Sequence, residues 1–232
     1  MGAKALRKAG KVVCIGRNFA DHIQELNSAR PKQPFFFLKP TSSILLPGEG
    51  PVIRPRGVDL HHEVELAMIL GKQLKDVPAE QEEVFMDAVG KYALSIDMTA
   101  RNVQGEAKKK GLPWSIAKGF DTFLPMGHVL DKKDLPDPHN VELYLKVNDE
   151  VRQQDSTKLM LFRIPRILSE ISKVMTLEPG DIVLTGTPKG VGPVEPGDVI
   201  RCGIRVDGKE LECAKMEFKV EESRGLYEYA ET

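Results

Sequence analysis

Short apolar runs separated by polar turns recur along this chain of 232 residues, and they predict more strands than helices. The predicted strands cover residues 11–15, 35–38, 63–70, 92–96, 141–147, 150–154 and 211–220. Capped or amphipathic segments predict helices over residues 18–27, 79–88, 99–110 and 164–175. Strands and helices do not alternate strictly, and no GxGxxG motif follows the first strand. The pattern therefore disfavours a Rossmann fold and predicts a strand-rich α+β fold.

The predicted strand 63–70, EVELAMIL, carries two acidic residues in a segment that otherwise has a core composition. Alternation places Val64, Leu66 and Met68 on one side, and Glu63 and Glu65 on the other. Two like charges at i and i+2 repel each other on a sheet. A solvated face would relieve that repulsion, and so would a shared cation, so the pair alone leaves both interpretations open.

A third carboxylate, Asp97, follows the predicted strand 92–96. Together, Glu63, Glu65 and Asp97 offer hard oxygen ligands, which suit Mg²⁺ or Mn²⁺ better than Zn²⁺. Carboxylates alone do not fill an octahedral shell, which leaves positions for water and a substrate oxygen. The sequence therefore predicts a site for Mg²⁺, with Mn²⁺ as a possible substitute.

Two further motifs have residues that could accept a proton or bind an anion. His22 and Glu25 lie at i and i+3 of a predicted helix and share a face, where the carboxylate can orient the imidazole and raise its basicity. An ordinary surface pair gives the same pattern. The segment TGTPKGVGP at 185–193 offers backbone N–H groups and hydroxyls to an anion, although many such segments are only turns. It lacks the Gly-Lys-Ser/Thr of a phosphate-binding loop.

Composition narrows the function classes. Lys and Arg number 33 against 34 Asp and Glu, which argues against a nucleic-acid binder that relies on a basic field. No stretch approaches the roughly 18 apolar residues of a membrane helix. Three cysteines without a CxxC pair argue against a disulfide framework. The length fits one catalytic domain over residues 11–232 behind a flexible basic tail over residues 1–10.

Seven segments in chain order resemble the fumarylacetoacetate hydrolase family. They are IGRNFADHIQE (15–25), FFLKP (36–40), HHEVELAMILGK (61–72), YALSIDMTARNVQ (92–104), KKKGLPWSIAKGFDTFLPMG (108–127), LKVNDEVRQ (145–153) and LEPGDIVLTGTPKGVGPVEPGD (177–198). The combination of ExE, DMTAR and TGTPxGVGP is specific. The resemblance implies a mixed β-sandwich roll, a homodimer and a lid segment near residues 18–30.

The resemblance also implies individual roles. It assigns Mg²⁺ to Glu63, Glu65 and Asp97, and water activation to His22 with Glu25. Lys118 matches the lysine near the substrate oxyanion. The implied substrate-binding residues are Arg17, Arg101, Gln104 and Thr187, with Thr187 receiving the carboxylate. Asn102 stands where relatives often have Asp, so its role is open.

The implied activity is Mg²⁺-dependent chemistry on 2-oxo acids through a metal-bound enolate. Three reactions share that intermediate: hydrolysis of acylpyruvates, decarboxylation of oxaloacetate, and its keto–enol tautomerisation. The implied compartment is the mitochondrion, with the cytosol as the alternative. Alternative functions are a related isomerase or hydrolase of aromatic catabolism, a non-catalytic small-molecule binder, and a nucleotide-binding enzyme. Thermal-shift titration with ATP against oxalate separates the last of these.

Overall fold

The computed structural model describes residues 3–25 and 29–232, and in these ranges the chain forms sixteen strands and five α-helices. The strands are β1 (Val12–Gly16), β2 (Phe35–Lys39), β3 (Ile44–Leu45), β4 (Val52–Arg54), β5 (Leu60–His62), β6 (Val64–Leu70), β7 (Val89–Ile96), β8 (Thr99–Ala100), β9 (Leu124–Pro125), β10 (Val141–Val147), β11 (Glu150–Ser156), β12 (Ile182–Leu184), β13 (Gly192–Pro193), β14 (Val199–Val206), β15 (Lys209–Glu210) and β16 (Met216–Glu222). The helices are α1 (Ala20–Glu25), α2 (Glu82–Ala88), α3 (Arg101–Lys110), α4 (Ser115–Lys118) and α5 (Ile164–Val174).

Two large mixed sheets organise the molecule. The first has the order β2-β1-β12-β6-β7, with β1 parallel to β12 and the other neighbours antiparallel. The second has the order β11-β10-β14-β16-β4, with β15 beside β14 and with β16 parallel to β4. Smaller sheets join β13-β5-β8 and β3-β9. The predicted strand-rich α+β fold is confirmed.

The main hydrophobic core unites the two large sheets. Leu66 and Leu94 of the first sheet belong to the same buried cluster as Leu143 and Ile200 of the second, and α5 adds Ile167. Burying each such side chain stabilises the fold by about 1.5–3 kcal/mol relative to exposure. This packing turns one face of β6 toward the second sheet. The alternate side chains of β6 must therefore point to the opposite face of the first sheet.

The opposite face of the first sheet is covered as well. Ala67 and Ile69 of β6 pack there in a second cluster with Leu6, Ile44 and Leu124. All seven residues of β6 are consequently buried. The interpretation of Glu63 and Glu65 as a solvated pair is therefore wrong, because that face carries a second layer of protein instead of water.

The N-terminal segment supplies part of that second layer. A 3-10 turn spans Ala3–Lys8, and Leu6 is 1% exposed. The sequence predicted a flexible tail over residues 1–10, because this segment carries basic residues and no acidic one. From residue 3 onward this segment instead packs on the sheet through Leu6 and Ala9. A single catalytic domain over residues 11–232 stays a prediction.

Some predicted boundaries shift. Helix α3 begins at Arg101 and not at Thr99, because Thr99 pairs with His61 of β5 in a small sheet. Within the helix predicted over residues 18–27, the structure shows a helix over Ala20–Glu25. Residues 26–28 lie outside the described residues, so the predicted lid near 18–30 is described only in part. No helix among the described residues is long and apolar enough to cross a membrane.

Candidate active site

The three predicted metal ligands converge at one end of the first sheet. Glu63 directly precedes β6, Glu65 lies within it, and Asp97 directly follows β7. The register pairs Val64 with Ile96, and the Asp97 N–H continues the ladder by donating to the Glu63 carbonyl at 2.8 Å. One side-chain oxygen from each residue lies within 4.8 Å of the others, and all three residues are buried. The pairing of β6 with β7 thus assembles the acidic set that the sequence predicted.

Three cations surround these carboxylates. Lys118, at the end of α4, donates from Nζ to Asp97 Oδ2 at 2.6 Å and to Glu63 Oε2 at 3.1 Å. Lys39, at the end of β2, donates to Asp97 Oδ1 at 2.6 Å. Arg101, the first residue of α3, donates to Glu63 Oε1 at 2.5 Å. Asp97 and Glu63 are therefore each bonded by two cationic side chains.

The environment separates the two glutamates electrostatically. Burial alone would raise the pKa of Glu63, but the charges of Lys118 and Arg101 outweigh it and hold that pKa well below the ordinary value. Burial raises the pKa of Glu65 well above its ordinary value, and the negative charges of Asp97 and Glu63 add to the effect. Without a metal, Glu63 is thus ionised, while ionisation of Glu65 has a high electrostatic cost.

The donor set fits a hard divalent cation. Glu63, Glu65 and Asp97 present only oxygen atoms, within a common volume and on rigid strands, which suits Mg²⁺ or Mn²⁺. A divalent ion would also balance the charge of Glu65, the one member of the set that no lysine or arginine bonds among the described residues. These residues fit the predicted metal, and their role as its ligands stays a prediction.

The predicted base lies beside this acidic set. In α1, His22 Nδ1 and Glu25 Oε2 are 3.2 Å apart, and Glu25 also accepts the Gly190 N–H at 3.0 Å. Burial lowers the pKa of His22, and the charges of Glu63 and Glu25 offset this only in part. The imidazole is therefore neutral at pH 7 and able to accept a proton. Since Glu25 engages Nδ1, transfer toward the pocket would use Nε2.

One pocket collects all the predicted site residues except Glu25. Arg17, Arg101, Gln104 and Thr187 line it together with His22, Lys118 and the three acidic residues. Arg101 also donates to Gln104 Oε1 at 2.8 Å, which couples the two side chains. Glu25 does not line the pocket and contacts His22, which does. The structure thus brings together residues from widely separated stretches of the chain.

Thr187 is held by a residue that the sequence analysis missed. Gln153, in β11, donates from Nε2 to Thr187 Oγ1 at 2.8 Å and to the Pro188 carbonyl at 2.9 Å. Its Oε1 accepts the Val64 N–H at 3.0 Å. Thr187 in turn donates its hydroxyl hydrogen to the Val64 carbonyl at 2.8 Å. A carboxylate bound there would have to displace this hydroxyl hydrogen bond or use a neighbouring donor.

The glycine-rich segment holds carboxylates of this chain. Gly186 has φ +93° and donates its N–H to Glu65 Oε2 at 2.7 Å. Gly190 has φ +90° and donates its N–H to Glu25. Both conformations favour glycine. The sequence suggested an anion cradle here, and the anions it holds are the side chains of Glu65 and Glu25.

Lys39 and Thr99 also escaped the sequence analysis. Thr99 was predicted to cap a helix, but its hydroxyl donates to Glu63 Oε1 at 3.0 Å and accepts from Lys118 at 2.6 Å. Lys39 was quoted within FFLKP without a role. A lysine that closes a run of apolar strand residues is the available signal, because burying an ammonium requires a buried acid.

An aromatic wall closes one side of the pocket. Trp114 makes edge contacts with Phe35 and Phe37, at ring-centroid distances of 6.0 and 5.3 Å. Lys118 Nζ lies 4.9 Å from the centre of the Phe37 ring. These rings exclude water from one side of the buried charges and thereby strengthen their interactions.

Comparison with known proteins agrees with this architecture. The model of the family described as "Fumarylacetoacetate (FAA) hydrolase C-terminal" matches residues 11–220. The chain therefore belongs to the fumarylacetoacetate hydrolase family, as its motifs indicated.

Relatives that are named for an enzymatic activity span nearly the same length. The chain is 55% identical to "Oxaloacetate tautomerase oaa1, mitochondrial" of Schizosaccharomyces pombe, over 93% of this chain and 98% of the relative. It is 49% identical to "Oxaloacetate decarboxylase, mitochondrial" of Dictyostelium discoideum, over 84% of this chain and 88% of the relative. The crystal structure of fumarylpyruvate hydrolase from Pseudomonas aeruginosa, in complex with Mn²⁺ and pyruvate, is similar with a TM-score of 0.81 and 32% identity, covering 93% of this chain and 91% of that one.

Proposed function

We propose that this protein is a divalent-metal-dependent enzyme that tautomerises oxaloacetate, decarboxylates it to pyruvate and CO₂, and hydrolyses acylpyruvates to pyruvate and a carboxylate. The observation that carries the proposal is the buried set Glu63, Glu65 and Asp97, opening into the pocket that His22 and Lys118 also line. The names of the relatives support oxaloacetate as a substrate. The Pseudomonas aeruginosa complex with Mn²⁺ and pyruvate supports the metal and the product.

The metal and the surrounding cations have one electrostatic task. When bound by Glu63, Glu65 and Asp97, Mg²⁺, or Mn²⁺ in its place, supplies a Lewis acid for the C2 oxygen of a 2-oxo acid. Lys118 and Arg101 place fixed positive charge beside the carboxylates of Glu63 and Asp97. These charges stabilise the negative charge that develops on the substrate in the transition state. Because these groups are already ordered by hydrogen bonds, they need little reorganisation during the reaction.

His22 transfers the proton, and Glu25 holds the His22 imidazole in position. In tautomerisation, a neutral His22 accepts a proton from C3 and returns it to oxygen or carbon. In acylpyruvate hydrolysis, His22 takes a proton from water, and the water oxygen bonds to the distal carbonyl carbon. The bond between that carbon and C3 then breaks with its electron pair left on C3, and the proton on His22 passes to C3, which gives pyruvate and a carboxylate. In decarboxylation, CO₂ leaves and the electron pair of the broken C3–C4 bond stays on C3. This reaction therefore needs no activated water. The three reactions differ mainly in what leaves C3.

The test of the metal role is Glu65→Ala, assayed on oxaloacetate and acetylpyruvate with Mg²⁺ and with EDTA. We expect the variant to fold and to lose turnover of both substrates, and we expect EDTA to abolish wild-type turnover. Glu150→Ala, at the exposed start of β11, is the matched control and should retain wild-type rates. Full wild-type activity in EDTA would contradict the proposal.

The test of the base is His22→Ala. We expect acetylpyruvate hydrolysis to fall by about 10²–10⁴-fold, the usual contribution of a general base, and oxaloacetate decarboxylation to fall much less. Single-substrate assays of both reactions at saturating Mg²⁺ measure the difference. Equal losses in the two assays would rule out water activation as the main task of His22.

Compartment and assembly are part of the same proposal. The mitochondrial names of the relatives support a mitochondrial location, which fractionation of the source cells tests. A homodimer is the assembly that the family resemblance implies. Light scattering of the purified protein tests it, and a monomeric mass at assay concentration would contradict it.

A further inference from the structure

Two cations of the pocket have no carboxylate partner among the described residues. Arg17 follows β1, Lys108 lies on α3, and both line the pocket that contains the acidic set. Each charge lies over an aromatic ring: Arg17 Cζ is 5.6 Å from the centre of Phe35, and Lys108 Nζ is 5.3 Å from the centre of Trp114. The two rings contact each other at 6.0 Å. The aromatic wall therefore holds both cations on one side of the pocket.

Neither cation is neutralised within the described part of the chain. Lys39, Lys118 and Arg101 each bond an acidic side chain at the centre, whereas Arg17 and Lys108 form no ion pair in residues 3–25 and 29–232. A cation–π contact stabilises a charge by about 0.5–2 kcal/mol but does not cancel it. The pocket thus contains cations that are paired with the acidic set and two further cations, Arg17 and Lys108, that have no acidic partner among the described residues.

The electrostatics around Lys108 support this picture. The protein around its ammonium lowers the pKa of Lys108 to about 8, and repulsion from Arg101 and Arg17 adds to that effect. Lys108 is exposed to solvent as a whole, and the repulsion comes from the neighbouring cations. A bound anion would relieve the repulsion among these cations.

We infer that Arg17 and Lys108 form a second anion subsite, which receives the distal carboxylate of dicarboxylic 2-oxo acids. This inference rests on the proposed function, because it requires that the C1 carboxylate and C2 oxygen are held at the proposed metal site of Glu63, Glu65 and Asp97. Lys108 is then a specificity-determining residue. It distinguishes a substrate with a second carboxylate from one that ends in a neutral acyl group.

The subsite also affects the fate of oxaloacetate. Decarboxylation moves the electron pair of the C3–C4 bond onto C3, and the C4 carboxylate leaves as neutral CO₂. Cations that bind C4 as a carboxylate stabilise the starting charge and lose that interaction in the transition state, which raises this barrier. Tautomerisation keeps the C4 charge and is not opposed. Lys108 therefore favours tautomerisation over decarboxylation.

The kinetic test compares Lys108→Met with Lys109→Met, an exposed neighbour on α3. For Lys108→Met, we expect kcat/KM for oxaloacetate tautomerisation to fall about tenfold or more relative to acetylpyruvate hydrolysis, since a hydrogen bond to a charged group is commonly worth that factor. We also expect the ratio of decarboxylation to tautomerisation to rise. Lys109→Met should match wild type in both ratios.

A binding test removes the chemistry. With Mg²⁺ present, calorimetry compares 2-oxoglutarate with 2-oxopentanoate, which have the same carbon chain and differ in the distal carboxylate. Wild type should prefer 2-oxoglutarate, and Lys108→Met should lose that preference. In the kinetic test, an equal loss of kcat/KM for oxaloacetate tautomerisation and for acetylpyruvate hydrolysis in Lys108→Met would overturn the inference. Unchanged kinetic ratios in Lys108→Met would overturn it as well. A wild-type protein that turns over neither substrate would instead overturn the proposed function.

Discussion

Glu65 and Lys39 are buried ionisable side chains, and each depends on neighbours that lie far away in the sequence. Lys39 is 2% exposed and donates to Asp97, a partner 58 positions later. Burial lowers the pKa of Lys39, and the charge of Asp97 opposes that shift. The charge of Asp97 therefore favours the charged form of Lys39, and the lysine in turn offsets part of the cost of burying Asp97.

This dependence predicts the effect of Lys39→Met. Removing one partner of a buried ion pair commonly costs about 3–5 kcal/mol, so we expect a loss of that size in EDTA. With saturating Mg²⁺ the loss should be smaller, because the metal then compensates Asp97. Urea denaturation in both conditions measures the difference, with the exposed Lys209→Met as control. An equal loss with and without Mg²⁺ would contradict the electrostatic explanation.

At the scale of elements, the 185–190 segment after β12 connects the two halves of the site. Gly186 holds Glu65 and Gly190 holds Glu25, so the proposed metal ligand and the partner of the proposed base share one loop. Gln153 of β11 fixes the same loop through Thr187. A displacement of this loop would therefore disturb both ends of the chemistry at once.

Gly190→Ala tests the loop. A Cβ at this position would lie 1.9 Å from the Arg152 carbonyl oxygen, and φ is +90°. We expect a stability loss above the about 1–3 kcal/mol of backbone strain alone, together with slower acetylpyruvate hydrolysis. Gly180→Ala is the matched control, since Gly180 has φ +96° but nothing within 4 Å of the added atom. Equal melting temperatures for the two variants would show that the clash with Arg152 has no effect.

His139 links the start of α5 to pH. Its Nε2 accepts the Ile164 N–H at 3.1 Å, which requires a ring without a proton on that nitrogen. Burial, and then the charge of Arg163, lower the pKa of His139 below the ordinary 6.5. At a pH between the lowered pKa of the folded protein and the ordinary pKa of 6.5, His139 binds a proton in the unfolded chain but not in the folded protein. Stability therefore falls as pH drops below 6.5 and levels off below the lowered pKa.

His139→Gln isolates that contribution, because Gln can accept the same N–H but does not titrate. We expect chemical denaturation between about pH 7 and pH 5, the range around the ordinary histidine pKa, to show a smaller loss of stability in the variant than in wild type. Other buried histidines contribute equally to both proteins and cancel in the comparison. Parallel curves for the two proteins would show that His139 does not titrate in this range.

Comparison of sequence and structure shows which information was local. Apolar runs and turn residues predicted seven of the sixteen strands in the described residues, β6 and β7 among them, and the ExE and Asp97 pattern identified the acidic set. Lys39 and Gln153 were missed because their roles depend on contacts across 58 and 34 positions, with Asp97 and Thr187. Leu6 was missed for a related reason: one leucine among alanines and basic residues is recognised as a core residue only when the sheet face that it covers is known.

At the scale of the whole molecule, the site joins segments that only the finished fold brings together. The ends of β6 and β7 supply carboxylates, while β2, α3 and α4 supply the cations. The core between the two large sheets fixes these elements relative to one another. Stability of the fold and occupancy of the site are therefore linked, and a ligand of the folded state alone must stabilise the whole molecule.

Glu65→Gln separates the two sides of this linkage. Mg²⁺ at about 100 times its dissociation constant should stabilise wild type by about 2.7 kcal/mol, measured by thermal and urea denaturation against EDTA. In EDTA the variant should be more stable than wild type, because the introduced amide carries no charge toward Asp97 and Glu63 and its oxygen still accepts the Gly186 N–H. The variant should also lose most of the Mg²⁺ stabilisation. A variant less stable than wild type in EDTA, with the Mg²⁺ effect retained, would show that Glu65 serves packing and not the metal.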